Sequence, residues 1–188
     1  MRVLIAEDEA LIRMDLREML VEEGHEVVGE ARDGAEAIAL ARSLSPDVVF
    51  MDINMPGVTG IEAAKTLSED RVAPVVMVTA FSQVSYVQAA VDAGAMAYVV
   101  KPFTRADVMP AMHVAVSRFA ESSALVAEVD DLTERLETRK ALDRAKGLLM
   151  ARGMTEPEAF KRLQSVAMDK RKTLREVAEA VILASEAE

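Results

Sequence analysis

Five polar side chains in the first part of the chain each follow a short apolar segment. Glu7 and Asp8 come after the first segment, and Asp52, Thr79 and Lys101 come after three later ones. Three neighbouring carboxylates repel one another and need a cation. Oxygen ligands without histidine or cysteine suit Mg²⁺, and a lysine adds positive charge for an incoming phosphoryl group. A carboxylate can attack phosphorus when a metal shields its charge.

The segments that must position these side chains alternate between strand and helix. Four buried parallel strands are predicted by four-residue apolar runs at 3–6, 48–51, 75–78 and 97–100. The more polar run 26–31 predicts an edge strand. Apolar residues at helical spacing lie between the runs, so we predict a doubly wound α/β domain. Its ligand site lies at the carboxyl ends of the strands, where the five polar side chains fall.

These residues also resemble a known family. The ordered set Glu7-Asp8, Asp52, Thr79 and Lys101-Pro102, with the string VFMDINMPG at 49–57, resembles the receiver domain of two-component response regulators. The resemblance covers residues 1–118 and implies a five-stranded sheet of flavodoxin-like order 2-1-3-4-5. It also implies a phosphorylated regulator rather than a turnover enzyme.

The resemblance implies a role for each acidic residue. Asp52 would accept a phosphoryl group from the phosphohistidine of a sensor histidine kinase. Glu7, Asp8, Asp52 and the backbone carbonyl of Asn54 would hold Mg²⁺.

The resemblance also implies a phosphate-binding pair and a switch. Thr79 and Lys101 would bind the new phosphate, and Tyr98 matches the aromatic residue that rotates inward on activation. We expect Asn54 and Phe81, which flank the site, to tune hydrolysis of the acyl phosphate.

The composition excludes several other function classes. The chain has no cysteine, which excludes disulfides, zinc–thiolate sites, iron–sulfur clusters and thiol catalysis. The N-terminus lacks the long apolar run of a signal peptide, and no stretch approaches ~20 apolar residues. We expect a soluble cytoplasmic protein without a membrane partner.

Charged residues are distributed unevenly along the chain. The net charge is −10 overall, yet residues 135–175 hold 12 basic and 5 acidic residues, while residues 1–117 hold 9 basic and 18 acidic ones. Such asymmetry indicates two regions with different partners.

After residue 104 the sequence predicts helices alone. Residues 119–138 are predicted to form a helical linker. It carries a short seam of apolar residues at the a and d positions of a heptad repeat, formed by Leu125, Val129, Leu132 and Leu136. The seam favours either a dimerising coiled coil or packing within the chain. Residues 139–188 predict three helices in a small bundle, two of which begin at capping boxes, Thr155–Glu158 and Thr173–Glu176.

This bundle resembles the ANTAR domain, an RNA-binding antitermination module found behind receiver domains. The resemblance rests on AKGLLM at 145–150, EAF at 158–160 and Val177-Ala178. It implies a homodimer that binds RNA stem-loops competing with a transcription terminator. We expect Phe160, the single aromatic residue after position 120, to lie in the bundle core with Ala145, Leu149 and Ala167.

The RNA would be bound by nine basic residues of the bundle. They are Arg139, Lys140, Arg144, Lys146, Arg152, Lys170, Arg171, Lys172 and Arg175. Attraction to phosphates would depend on salt concentration.

Three alternatives remain open from the residues alone. The C-terminal helices could bind DNA as a helix-turn-helix, which needs a turn of 3–4 residues and a recognition helix with exposed polar residues at its start. The basic segment could instead bind an acidic protein. Asp52 could also belong to a Mg²⁺-dependent phosphatase.

Overall fold

The chain, seen in a computed structural model that describes residues 1–80 and 84–186, divides into two compact units. These are Met1–Ala124 and Leu125–Glu188. The predicted tuning residue Phe81 lies outside the described residues.

The first unit is built on a parallel sheet of five strands in the order β2-β1-β3-β4-β5. The strands are β1 (Arg2–Ala6), β2 (Glu26–Ala31), β3 (Val48–Asp52), β4 (Val75–Thr79) and β5 (Ala97–Val100). The order is the one that the resemblance implies, and the polar strand β2 lies at an edge as predicted.

Helices cover both faces of the sheet. They are α1 (Ala10–Glu22), α2 (Gly34–Leu44), α3 (Gly60–Glu69), α4 (Val84–Asp92) and the first part of α5 (Arg105–Ala151). On one face, Ile5 and Phe50 pack with side chains of α1 and α5. On the other, Leu4 and Met51 pack with α2, α3 and α4. This burial on two sides explains why the strands are continuously apolar.

The loop after β3 is fixed by a close approach of backbone to backbone. Gly60 begins α3, and its N–H donates to the carbonyl oxygen of Ile53 at 3.0 Å. A Cβ at position 60 would overlap the carbonyl oxygen of Asp52, so only glycine fits there. Thr59 and Glu62 close a capping box at the same helix start.

Helix α5 is continuous over 47 residues and includes Pro110. The predicted linker 119–138 and the predicted first bundle helix are therefore parts of one helix, without a helix end near residue 118 or 138. The sequence contains no glycine between residues 105 and 146 that would end a helix earlier.

The second unit contains the end of α5 together with α6 (Glu156–Lys170) and α7 (Leu174–Glu186). The two helices begin directly after Thr155 and Thr173, as their capping boxes predict. Each threonine N–H donates to the glutamate three residues on, at 2.9 Å and 2.7 Å. The core of this unit is made of Ala145, Leu149, Ala159, Leu163, Ala167, Val177 and Ala178.

The prediction for Phe160 is wrong. Ala145, Leu149 and Ala167 are buried as expected, whereas Phe160 is 38% exposed. The physical reason lies in the four alanines of this core. Small side chains let the helices pack closely and leave no space for a phenyl ring between them.

Within the described residues, none of the helices is both long enough and apolar enough to cross a membrane.

Candidate functional site

Three carboxylates lie together at the carboxyl edge of the sheet. Glu7 and Asp8 follow β1, and Asp52 is the last residue of β3. Each offers an oxygen within 4.8 Å of the others' oxygens. Glu7 and Asp52 are 2% and 5% exposed, while Asp8 is open to solvent. Burial raises the pKa of Glu7, and the charge of Asp52 adds to this, although the Lys101 ammonium opposes it.

Lys101, which follows β5, is bound between two of these carboxylates. Its Nζ lies 2.6 Å from Glu7 Oε2 and 2.7 Å from Asp52 Oδ1. Burial lowers the pKa of Lys101, but hydrogen bonds and charge interactions with the two carboxylates outweigh burial and leave its pKa raised. Lys101 is therefore a fixed positive charge beside Asp52.

The donor set fits a divalent cation. With all groups ionised, three carboxylates and one ammonium leave two negative charges. The ligands are all oxygens, which suits a hard ion such as Mg²⁺. Of these ligands, Asp8 is the solvent-exposed one.

The backbone that carries Glu7 and Asp8 is held by a buried arginine. Nη1 of Arg13, on α1, donates to the carbonyl oxygen of Glu7 at 2.6 Å. Its Nε donates to Glu30 Oε2 at 3.1 Å, and the Arg13 side chain is 11% exposed. The other carboxylate oxygen of Glu30, Oε1, lies 2.9 Å from Arg17 Nη1 and forms a second ion pair. Arg13 thus connects Glu30 of the edge strand β2 to the backbone of Glu7.

Thr79 and Asn54 lie at the same edge, whereas Tyr98 lies within β5, opposite Met77 of β4. Thr79 is the last residue of β4 and is 2% exposed, and its carbonyl oxygen accepts from the N–H of Lys101 at 2.7 Å. The N–H of Asn54 donates to Asp52 Oδ2 at 2.9 Å. Tyr98 lies on β5 with its side chain 49% exposed. The fold therefore brings Glu7, Asp52, Thr79 and Lys101 together from four strands.

In the second unit, most of the nine basic residues have acidic neighbours. Lys146 lies 2.9 Å from both Asp143 and Glu156, and its side chain is 19% exposed. Hydrogen bonds to Glu156 and Asp143 raise the pKa of Lys146. Four more pairs are Arg139–Asp143, Lys140–Glu137, Lys172–Glu176 and Arg175–Glu179. Arg144 and Arg152 also have interaction partners.

Two of the nine differ from the rest. Within the described part of the chain, Lys170 and Arg171 form no ion pair, and both are exposed at the end of α6. Arg171 has a left-handed backbone with φ of 52°, and it begins the three-residue turn to α7.

The predicted heptad seam is exposed on α5. Leu125, Val129, Leu132 and Leu136 are 63%, 59%, 56% and 53% exposed. Four apolar side chains at spacings of four, three and four residues thus form an apolar stripe along the helix.

Two family models match the sequence, one in each unit. Residues 3–113 match the response regulator receiver domain, and residues 130–182 match the ANTAR domain. The chain belongs to the response regulator family. Its second domain is an ANTAR domain, the RNA-binding output module of transcription antitermination.

Curated relatives agree with this assignment. The transcriptional regulatory protein PdtaR of Mycobacterium tuberculosis is 60% identical over 182 residues, which cover 96% of this chain and 89% of PdtaR. The chemotaxis protein CheY of Bacillus subtilis is 42% identical over 113 residues, 60% of this chain and 94% of CheY.

Solved structures match the receiver domain. The receiver domain of NarL from Mycobacterium tuberculosis is 30% identical with a TM-score of 0.59, over 62% of this chain and 95% of that one. CheY in the CheX–CheY–BeF3–Mg²⁺ complex from Borrelia burgdorferi is also 30% identical. Its TM-score is 0.55 over 58% of this chain and 84% of that one.

Sequence reasoning missed the residue that anchors the acidic pair of this response regulator. Arg13 lies three residues before Leu16 and seven before Leu20, both buried on α1. That spacing places a charged side chain on the buried face of the helix, where it needs a partner. The pattern indicates a buried arginine, but it does not identify the Glu7 carbonyl oxygen and the Glu30 carboxylate as the acceptors of its N–H groups.

Proposed function

We propose that Asp52 is the phosphoacceptor of this response regulator and that its phosphorylation controls RNA binding by the ANTAR domain. The observation that carries the proposal is the surroundings of Asp52. A buried carboxylate lies 2.7 Å from the Lys101 ammonium and beside two further carboxylates. The donor is a phosphohistidine on a sensor histidine kinase, because the receiver domain is the acceptor half of that relay.

In the transfer, an Asp52 carboxylate oxygen bonds to phosphorus and the P–N bond of the phosphohistidine breaks. The histidine nitrogen keeps the electron pair. Lys101 neutralises charge on the transferred group, and the Asn54 N–H at 2.9 Å orients the Asp52 carboxylate. Such a transfer depends mainly on position and charge neutralisation.

Glu7, Asp8, Asp52 and the backbone carbonyl of Asn54 would hold Mg²⁺. When bound, the ion neutralises the negative charge of the phosphoryl oxygens. The acyl phosphate adds about −1.5 to −2 charge, which Lys101 and the Thr79 hydroxyl bind. Thr79 then moves toward the phosphate, and Tyr98 turns inward from its half-exposed position.

Phosphoacceptor identity is tested by incubating the full chain with acetyl phosphate and Mg²⁺ and measuring intact mass. We expect one added phosphate in the wild type and in Asp70→Asn, a matched change of an exposed aspartate that pairs with Arg42. We expect none in Asp52→Asn or after chelation of Mg²⁺. Phosphate retained in Asp52→Asn would refute the assignment.

The nine basic residues of the ANTAR domain are proposed to bind RNA stem-loops. Lys170 and Arg171 are the strongest candidates for phosphate contacts, because both are exposed at the end of α6 and neither forms an ion pair within the described residues. A Lys170→Ala/Arg171→Ala double variant should weaken binding to hairpin RNA and lower the salt slope by about 2. An unchanged salt slope would remove these two residues from the interface.

We propose that the active form is a homodimer joined through the exposed seam at 125–136. A second copy would cover four leucine and valine side chains that are more than half exposed. Sedimentation of the beryllofluoride-treated protein should show a dimer that Leu132→Lys abolishes, while Leu183→Lys, a change of another exposed leucine, leaves it intact.

The DNA-binding alternative is favoured by one observation, the three-residue turn between α6 and α7. Against it, the arginine at the start of α7, Arg175, is paired with Glu179 at 2.8 Å. Competition between labelled hairpin RNA and duplex DNA decides between them, and displacement by DNA alone would favour the alternative.

A further inference from the structure

Phe160 is an exposed aromatic ring in a domain whose core is built from alanine, leucine and valine. It lies on α6 between Ala159, which is fully buried, and the exposed Lys161. Phe160 is 38% exposed and lines a surface cleft, so part of the ring is accessible to a ligand. An exposed ring that the core does not need is free to serve in recognition.

The exposed ring lines a cleft of about 480 Å³ within the ANTAR domain. Residues 131–146 of α5 form the rest of the lining. Leu142 and Phe160 supply its apolar surface, and the rim carries three cations and three carboxylates. The charged rim residues are Asp131, Glu134, Arg135, Arg139, Asp143 and Lys146.

We propose that this cleft binds one unpaired nucleobase of the RNA hairpin loop, stacked on Phe160. The inference rests on the proposed RNA-binding function and names the part of the RNA that this site takes. A nucleobase has two flat apolar faces and an edge with both hydrogen-bond donors and acceptors. Loop bases in RNA are commonly read by stacking on aromatic rings and by hydrogen bonds to their edges.

The balance of charge at the rim distinguishes a base from a phosphate. The side chains of Arg139 and Asp143 lie 3.9 Å apart and are 83% and 58% exposed. Arg139 can donate to a base carbonyl or ring nitrogen, and Asp143 can accept from an amino group. A phosphate would meet three carboxylates at this rim, so it is better placed at Lys170 and Arg171.

The test measures affinity of the full chain, treated with beryllofluoride and Mg²⁺, for a pool of fluorescent RNA hairpins. The hairpins share one stem and have randomised loop nucleotides. Stacking on one aromatic ring contributes enough that its removal weakens binding by about 5- to 150-fold. We expect this loss in Phe160→Leu and near wild-type affinity in Phe160→Tyr, which keeps the ring.

Two controls separate stacking from other effects. Because stacking is not electrostatic, Phe160→Leu should lower affinity at every salt concentration without changing the salt slope, unlike the Lys170/Arg171 double variant. Selecting the bound hairpins and replacing loop adenines by 2-aminopurine should show fluorescence quenching with wild type and not with Phe160→Leu.

The outcomes are distinguishable from failure of the proposed function. If the wild type binds no hairpin from the pool, RNA binding itself fails. If it binds and Phe160→Leu binds equally well, the base site is wrong while RNA binding stands. A third outcome is that Phe160→Leu weakens the dimer in sedimentation and binds RNA with wild-type affinity at protein concentrations high enough to restore the dimer. In that case a second copy covers the cleft, and the base site is overturned.

Discussion

Replacing Arg13 by alanine should reveal how strongly the acidic pair is anchored. The substitution removes the 2.6 Å bond to the Glu7 carbonyl and the 3.1 Å pair with Glu30, both from a side chain that is 11% exposed. A hydrogen bond involving a charged group contributes about 1.5–3 kcal/mol. Since Glu30 keeps Arg17 as a partner, we expect a loss of about 2–4 kcal/mol in the free energy of unfolding.

Arg17→Ala is the matched control, because Arg17 pairs with the same carboxylate at 2.9 Å but is 56% exposed. An exposed pair of this kind contributes about 0–1 kcal/mol. Arg13→Lys keeps the charge but cannot hold the carbonyl and Glu30 together with a planar fork. The free energy of unfolding of Arg13→Lys should therefore lie between those of the wild type and Arg13→Ala.

Urea unfolding followed by circular dichroism, without Mg²⁺, measures the stability of the three variants. Calorimetric titration with Mg²⁺ then reports the anchoring itself, because displaced Glu7 and Asp8 carboxylates weaken ion binding even in protein that remains folded. Equal unfolding midpoints for Arg13→Ala and Arg17→Ala, with equal Mg²⁺ affinities, would show that Arg13 does not position the acidic pair.

Other substitutions test the fold and its pH dependence. Gly60→Ala should destabilise the receiver domain at the upper end of the roughly 1–3 kcal/mol typical of overpacking, because its Cβ would overlap the Asp52 carbonyl; a wild-type thermal midpoint would contradict this. Gly147→Ala, where a Cβ meets open space in a helix, should stabilise the ANTAR domain by about 1 kcal/mol. A loss of RNA affinity in that stabilised variant would place the RNA backbone against Gly147. The pKa of Glu176 is lowered from 4.5 to about 2, first by the hydrogen bond from Lys172 and then by the Thr173 N–H. Its contribution to the start of α7 is therefore fully present above pH 4.5 and lost as the pH falls toward 2. The stability difference between wild type and Glu176→Gln, followed by circular dichroism, should shrink over that range, and a constant difference would count against the capping argument.

The receiver site was predictable because its chemistry is concentrated at strand ends. Apolar runs fix where each strand ends, and parallel strands end at one edge, so Glu7, Asp52, Thr79 and Lys101 had to lie close together. The pairing of one ammonium with both Glu7 and Asp52 was not predictable. It depends on side-chain geometry between β1, β3 and β5, which periodicity does not contain.

In the second domain, the sequence pattern predicted where helices begin but not which apolar residues are buried. The capping boxes located the starts of α6 and α7, because they are local hydrogen-bond patterns. Phe160 was misplaced because a helical apolar face is wider than the part that a neighbouring helix covers. How much of that face is covered depends on how closely the helices approach, and this follows from alanines on three different helices.

The position of the Lys101 ammonium has a consequence for how the acidic edge of the sheet responds to the concentration of Mg²⁺. A tethered cation that binds two of the three acids, Glu7 and Asp52, holds this edge of the sheet together without a bound metal ion. Under the function proposed above, the concentration of free Mg²⁺ would then set the rate of phosphorylation at Asp52 and leave the resting conformation of this edge unchanged.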